Sequence, residues 1–186
     1  MLEEAMTAIA ENGLASLTMS ALAERLGTSG GHILYYFGSK DRLLLEALRW
    51  SEAALAEERR TLLASRTTAE RKLALFIEMY LPRGARDPRW MLWIELWART
   101  ASNEPLRQAQ EEIDLGWQQD LETLIGKGVA QSRFTVPEPG IADRAAQLLA
   151  LLDGLSTRVV LAQRGAARTE ALASAHSAAE LLITRS

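Results

Sequence analysis

Apolar residues in this chain recur every three or four positions and almost never every second one. That spacing builds one face of an α-helix, not the alternating face of a half-buried strand. Alanine and leucine dominate, and runs of β-branched residues are rare, so the predicted fold is all-α, with about nine helices. The 186 residues suffice for one large or two small domains. We expect a helical N-terminal domain over residues 1–48 and a second helical domain over 49–186, joined within one helix near Trp50. No fixed-period repeat or low-complexity tract interrupts them.

Helix boundaries follow from caps. The first helix, over residues 2–11, should stop at Asn12-Gly13. Thr18 opens a short helix that ends at Gly27, Ser29 caps a third through Phe37, and Ser39 caps a long fourth. Thr67-Thr68-Ala69-Glu70 has capping-box spacing, and Asp87-Pro88 reads as N-cap plus first-turn proline. Pro105 restarts a long helix. Pro137-Glu138-Pro139-Gly140 is a loop, and helices over 141–164 and 169–184 close the chain.

Several functional classes lack their residues. With no cysteine, disulfides, thiolate zinc sites and cysteine nucleophiles are excluded. The two histidines, His32 and His176, lie far apart, and no nucleophile elbow, phosphate loop or metal-ligand spacing is present. The expectation is therefore no catalytic residues, no metal and no cofactor. No apolar stretch is long enough to span a membrane, and the acidic start is not a signal peptide. A cytoplasmic setting fits. The net charge of −3 argues against a surface that is basic throughout but permits a local nucleic-acid reading head.

Residues 18–41 supply such a head. Two short helices joined by Gly27-Thr28-Ser29 and followed at once by a third capped helix form a helix-turn-helix, whose second helix enters the major groove. The stretch Leu22-Ala23-Glu24-Arg25-Leu26-Gly27-Thr28-Ser29 and its continuation through Tyr35-Tyr36-Phe37-Gly38-Ser39-Lys40-Asp41 closely resembles the DNA-binding signature of the TetR family. The resemblance implies a regulator, usually a repressor, that binds a double-stranded operator. It places Gly30, Gly31, His32 and Tyr35 near base edges and Tyr36 and Lys40 on the phosphate backbone. Thr18 and Ser29 sit at helix N-termini, whose N–H groups suit phosphates. Gly27, Ile33 and Phe37 are structural.

Three departures qualify this. Leu34 stands where the family often has tyrosine. Two glycines open the recognition helix, leaving more of the readout to backbone approach and DNA shape. Residues 1–50 hold four basic side chains against six acids, and the basic stretch that usually precedes the first helix is missing. The expected start is therefore trimmed or shortened, with weak non-specific affinity.

In the second domain, residues 90–163 are similar to repressors grouped with the regulator of choline–betaine synthesis. That resemblance implies a sensor for a small molecule whose identity does not carry over. Phe76, Met79, Tyr80, Trp90, Trp93, Trp97 and Trp117 could line an apolar pocket or pack as core. Glu95, Arg99, Asp153 and Arg158 are charges in apolar sequence, candidates for a polar ligand group or for structural ion pairs, and Asp153 joins the candidate ligand set. The last two helices show heptad-like faces, Leu148, Leu152, Leu155 and Val159 on one and Leu172, Ala175, Ala179 and Leu182 on the other. They suit a four-helix homodimer interface or intrachain packing. A ligand that favours a conformer with displaced reading heads would then release a pseudo-palindromic operator. The competing readings are an enzyme, marked by turnover of the bound compound, and a helical ligand-binding or dimerisation protein with weak or lost DNA binding.

Overall fold

Side-chain caps set most of the helix starts. The computed structural model describes residues 1–185 and shows, among them, nine helices and one two-residue ribbon. The helices are α1 (Leu2–Ser16), α2 (Met19–Arg25), α3 (Gly30–Phe37), α4 (Lys40–Ala64), α5 (Ala69–Tyr80), α6 (Pro88–Thr100), α7 (Glu104–Ala130), α8 (Ile141–Val160) and α9 (Arg168–Leu182). Strands β1 (Phe134–Thr135) and β2 (Thr184–Arg185) pair antiparallel, Phe134 opposite Arg185. Thr18, Ser29 and Asp87 cap α2, α3 and α6, as their sequence positions indicate. The expected capping box is displaced by one residue. Thr68, not Thr67, caps α5 through Arg71 N–H, and Glu70 pairs instead with Arg133 at 2.7 Å.

Contacts gather these elements into two compact units. The first holds Met1–Ala54 and Arg86–Glu112, so α6 belongs with the N-terminal helices. Its core is formed by Ile9, Leu22, Ile33, Leu43, Leu44, Leu48, Leu92 and Leu96, all fully buried. The break expected at Gly13 is present, with φ 74°, but the helix restarts immediately. The freed Leu14 N–H donates to Glu95 Oε1 of α6 at 3.0 Å, so a side chain from another helix caps the second segment. Arg86 adds donors to the Ala10 and Glu11 carbonyls, each at 2.8 Å. Arg99, expected to serve either a ligand or an ion pair, pairs with Glu95 and Asp41.

The second unit holds residues 55–85 and 113 onward. Phe76, Leu121, Ile125, Leu148, Leu152 and Ala175 are its fully buried centre. This corrects the expected dimer faces. Leu148, Leu152, Val159, Ala175 and Ala179 are buried within the single chain and offer no surface to a partner. Leu155, Leu172 and Leu182 are half-buried. For the five buried residues the heptad-like spacing records helix packing inside one chain. The outward apolar residues on α8 and α9 are Leu151 and, most fully, Leu181 at 80% exposure.

Candidate DNA-reading surface and aromatic cores

The two helices of the reading head meet at a left-handed turn, with Gly27 at φ 63°. Thr18 Oγ1 accepts from Ala21 N–H at 3.0 Å and Ser29 Oγ from His32 N–H at 3.1 Å, which starts each helix in register. Ile33 and Phe37 point into the core. Helical periodicity then turns Gly31, His32, Leu34, Tyr35 and Tyr36 outward. Tyr35 is 88% exposed and Tyr36 63%. Large rings exposed to this degree on consecutive positions suit a surface that meets a partner. His32 and Tyr36 stand as neighbours, with ring centroids 6.3 Å apart.

Two expected contacts have other employment. A Cβ on Gly30 would lie 3.1 Å from Ser20 Oγ, so this glycine permits the close approach of α2 and α3, while one on Gly31 would meet only Ser29 Oγ, at 4.0 Å. Lys40 turns inward, and its Nζ donates to the Leu14 and Ala15 carbonyls at 3.2 and 3.0 Å. In the free chain it thereby satisfies the C-terminal end of α1. Arg25 is held by Glu4 at 2.5 Å and Glu11 at 2.6 Å, and these hydrogen bonds raise its pKa, the Glu11 bond most. The reading face is aromatic and polar, and Arg42 is exposed on the surface it shares with Tyr36.

The aromatic residues read as a single cluster divide between the two units. In the first, Trp97 stands 6.0 Å from Trp90 and 5.9 Å from Trp93 between ring centroids. Trp93 Nε1 donates to Glu52 Oε1 at 2.9 Å, with Arg89 Nη1 3.8 Å from the same oxygen. In the second, Phe76 and Tyr80 stand nearly perpendicular to Trp117, at 5.3 and 4.7 Å between centroids. Tyr80 Oη donates to Asp153 Oδ1 at 2.6 Å. Burial raises the Asp153 pKa, and the Tyr80 bond opposes that shift. Met79 is half-buried on the same helix as Phe76 and Tyr80.

Sequence reading overlooked two buried charges on α4, Glu52 and Arg59, which are 5% and 4% exposed. Arg59 lies over Trp117, its guanidinium carbon 3.8 Å from the ring centroid, and Nε donates to Asp120 at 2.6 Å. A signal existed. Leu48, Glu52, Leu55, Arg59 and Leu62 are spaced 4, 3, 4, 3, the seam of an amphipathic helix with two charges set into it. Among the described residues no group of histidine, aspartate and glutamate could hold a metal ion, and no helix is long and apolar enough to cross a membrane.

Comparison with known proteins bears on both units. Residues 1–47 match the bacterial regulatory proteins of the tetR family, and residues 69–184 match the C-terminal region of BetI-type transcriptional repressors. The HTH-type transcriptional regulator BetI of Burkholderia cenocepacia is 26% identical over 98% of this chain and 92% of its own length. BetI 2 of Chromohalobacter salexigens is 29% identical over 99% and 87%. A transcriptional regulator from Saccharomonospora viridis, solved in complex with choline, superposes with a TM-score of 0.88 at 28% identity, covering 98% of this chain and 94% of that one. The regulator FadR of Bacillus subtilis, solved with stearoyl-CoA, reaches 0.77 at 25%, covering 98% and 96%. The exposed recognition helix and the two family matches together identify the chain as a transcriptional regulator of the TetR family with a BetI-type repressor C-terminal region.

Proposed function

We propose that this chain is a homodimeric repressor, acting in the cytoplasm, that leaves its operator on binding a small organic cation. The observation that carries the ligand class is the second-unit core, where Trp117, Phe76 and Tyr80 stand edge to face and Tyr80 joins them to the half-buried Asp153 carboxylate. Aromatic faces attract cations, and quaternary ammonium groups above all suit aromatic cages. A buried carboxylate supplies the counter-charge. The likeness to a regulator solved with choline supports the same class. Trp90, Trp93 and Trp97 form the alternative lining, but Glu52 already accepts from Trp93 there.

Residues 1–48 form the DNA-reading part in this account. Gly31, His32 and Tyr35 meet base edges, and Tyr36 with the N–H groups behind Thr18 and Ser29 meets phosphates. A two-fold reader needs its heads about 34–36 Å apart, or a multiple of that spacing. The outer faces of α8 and α9, with Leu151 and Leu181, supply the surface for pairing. The test is fluorescence-polarisation binding to DNA flanking its own gene at two salt concentrations, with a scrambled duplex beside it. Specific, salt-sensitive binding at two protomers per site is expected. Equal affinity for the scrambled duplex would favour a ligand-binding protein without operator recognition.

A further inference from the structure

The face of Trp117 is already occupied. The guanidinium carbon of Arg59 lies over it, 3.8 Å from the ring centroid, within the distance at which a cation gains from an indole ring. This guanidinium is poorly satisfied for a buried charge. Its Nε reaches Asp120, yet Nη1 is buried with no hydrogen-bond partner in the structure. A buried donor without an acceptor is destabilising, and more so when it carries charge. A quaternary ammonium group brings positive charge of similar size and has no N–H donors to satisfy. It matches an aromatic, sparsely polar site better than the guanidinium now there.

We propose that Arg59 is an internal competitor for the cation site: it holds the Trp117 face in the ligand-free protein, and a quaternary ammonium ligand must displace it. This rests on the reading of the Trp117–Tyr80–Asp153 core as the sensor. The way out is short, because Asp120, the partner of Arg59, is 31% exposed and can accompany the guanidinium toward solvent. Arg59 is also placed to report its displacement. It sits on α4, a continuous helix whose first residue is Lys40, immediately after the recognition helix and its Gly38-Ser39 link. Competition also sets specificity. A primary amine would leave N–H donors unsatisfied on the same ring face, as Arg59 does, so methylation of the nitrogen favours binding.

The experiment is calorimetric titration of choline chloride and of ethanolamine into the full-length protein, wild type and variants Arg59→Met, Arg59→Lys and Asp120→Asn. Methionine keeps the length and apolar bulk of the arginine, and the Asp120 carboxylate it leaves is part-exposed. Arg59→Met should bind choline about tenfold tighter than wild type, since a cation–π contact need no longer be broken. Arg59→Lys should fall between them, and choline should bind ahead of ethanolamine in wild type. Asp120→Asn loosens the anchor without removing the plug and should also tighten binding, which preserves the test should Arg59→Met fold poorly. Wild-type binding with equal or weaker affinity in Arg59→Met and Asp120→Asn would overturn the competitor role and leave the sensor reading intact. Absence of choline binding in all four proteins would overturn both.

Discussion

Burial raises the Asp153 pKa, and the hydrogen bond from Tyr80 only partly offsets it. An acid with a raised folded pKa favours the fold while it is protonated. Its contribution is complete below the unfolded value, about 3.9, and is lost as pH rises through the folded value. Above the folded value the ionised carboxylate is thus a burden on stability. Asp153→Asn should melt no lower than wild type near neutrality and should flatten the rise in stability on acidification, because Oδ1 still accepts from Tyr80. It should also bind choline at least about tenfold more weakly, having lost the counter-charge. Thermal melts across that pH range and one titration check both halves. A large loss of stability at neutral pH would make the carboxylate structural. At the same scale, Lys40→Ala should lower stability by about 1 kcal/mol through the uncapped Leu14 and Ala15 carbonyls. Tyr35→Ala, at a site 88% exposed, should leave melting unchanged and weaken specific duplex binding about tenfold.

Among the elements, α1 is broken at a single residue. Gly13 holds φ 74°, and a Cβ there would sit 3.2 Å from Glu95 Oε1, the oxygen that caps Leu14. Gly13→Ala should therefore destabilise the protein by about 1–2 kcal/mol, visible as a lower denaturation midpoint. An unchanged midpoint would mean that the break relaxes freely. This bend also shows what sequence patterns convey. Asn12-Gly13 announced a helix stop because it depends on a local residue preference. The restart was silent because its cap comes from Glu95, distant in sequence. The same contrast runs through the chain. Thr18, Ser29 and Asp87 were legible as caps, while Thr67 and Thr68 offered two hydroxyls and the structure uses the second. On α8 and α9 the heptad spacing correctly marked buried faces, but spacing alone cannot tell a neighbouring helix of the same chain from a partner's. Glu52 and Arg59 lie on an apolar seam, yet charges on helices usually face water. Only the packing of Trp93 and Trp117 against them reveals their burial.

For the molecule as a whole, dimerisation and DNA recognition should stand or fall together. Replacing Leu151 and Leu181 by glutamate puts charge on the outward faces of α8 and α9, at positions 36% and 80% exposed in the single chain. The double variant should sediment as a folded monomer and lose cooperative operator binding, since one head alone makes half the contacts. A dimer that persists would locate the interface elsewhere. The family assignment rests on both units, and on the proposed function what unites them is coupling between ligand and operator, which linkage requires to be reciprocal. The most direct measurement is titration of choline into the preformed protein–operator complex, followed by fluorescence polarisation. Release of the duplex is expected at choline concentrations that saturate the free protein, with choline affinity weakened by bound operator in the same ratio. Choline binding that leaves operator affinity unchanged would contradict it.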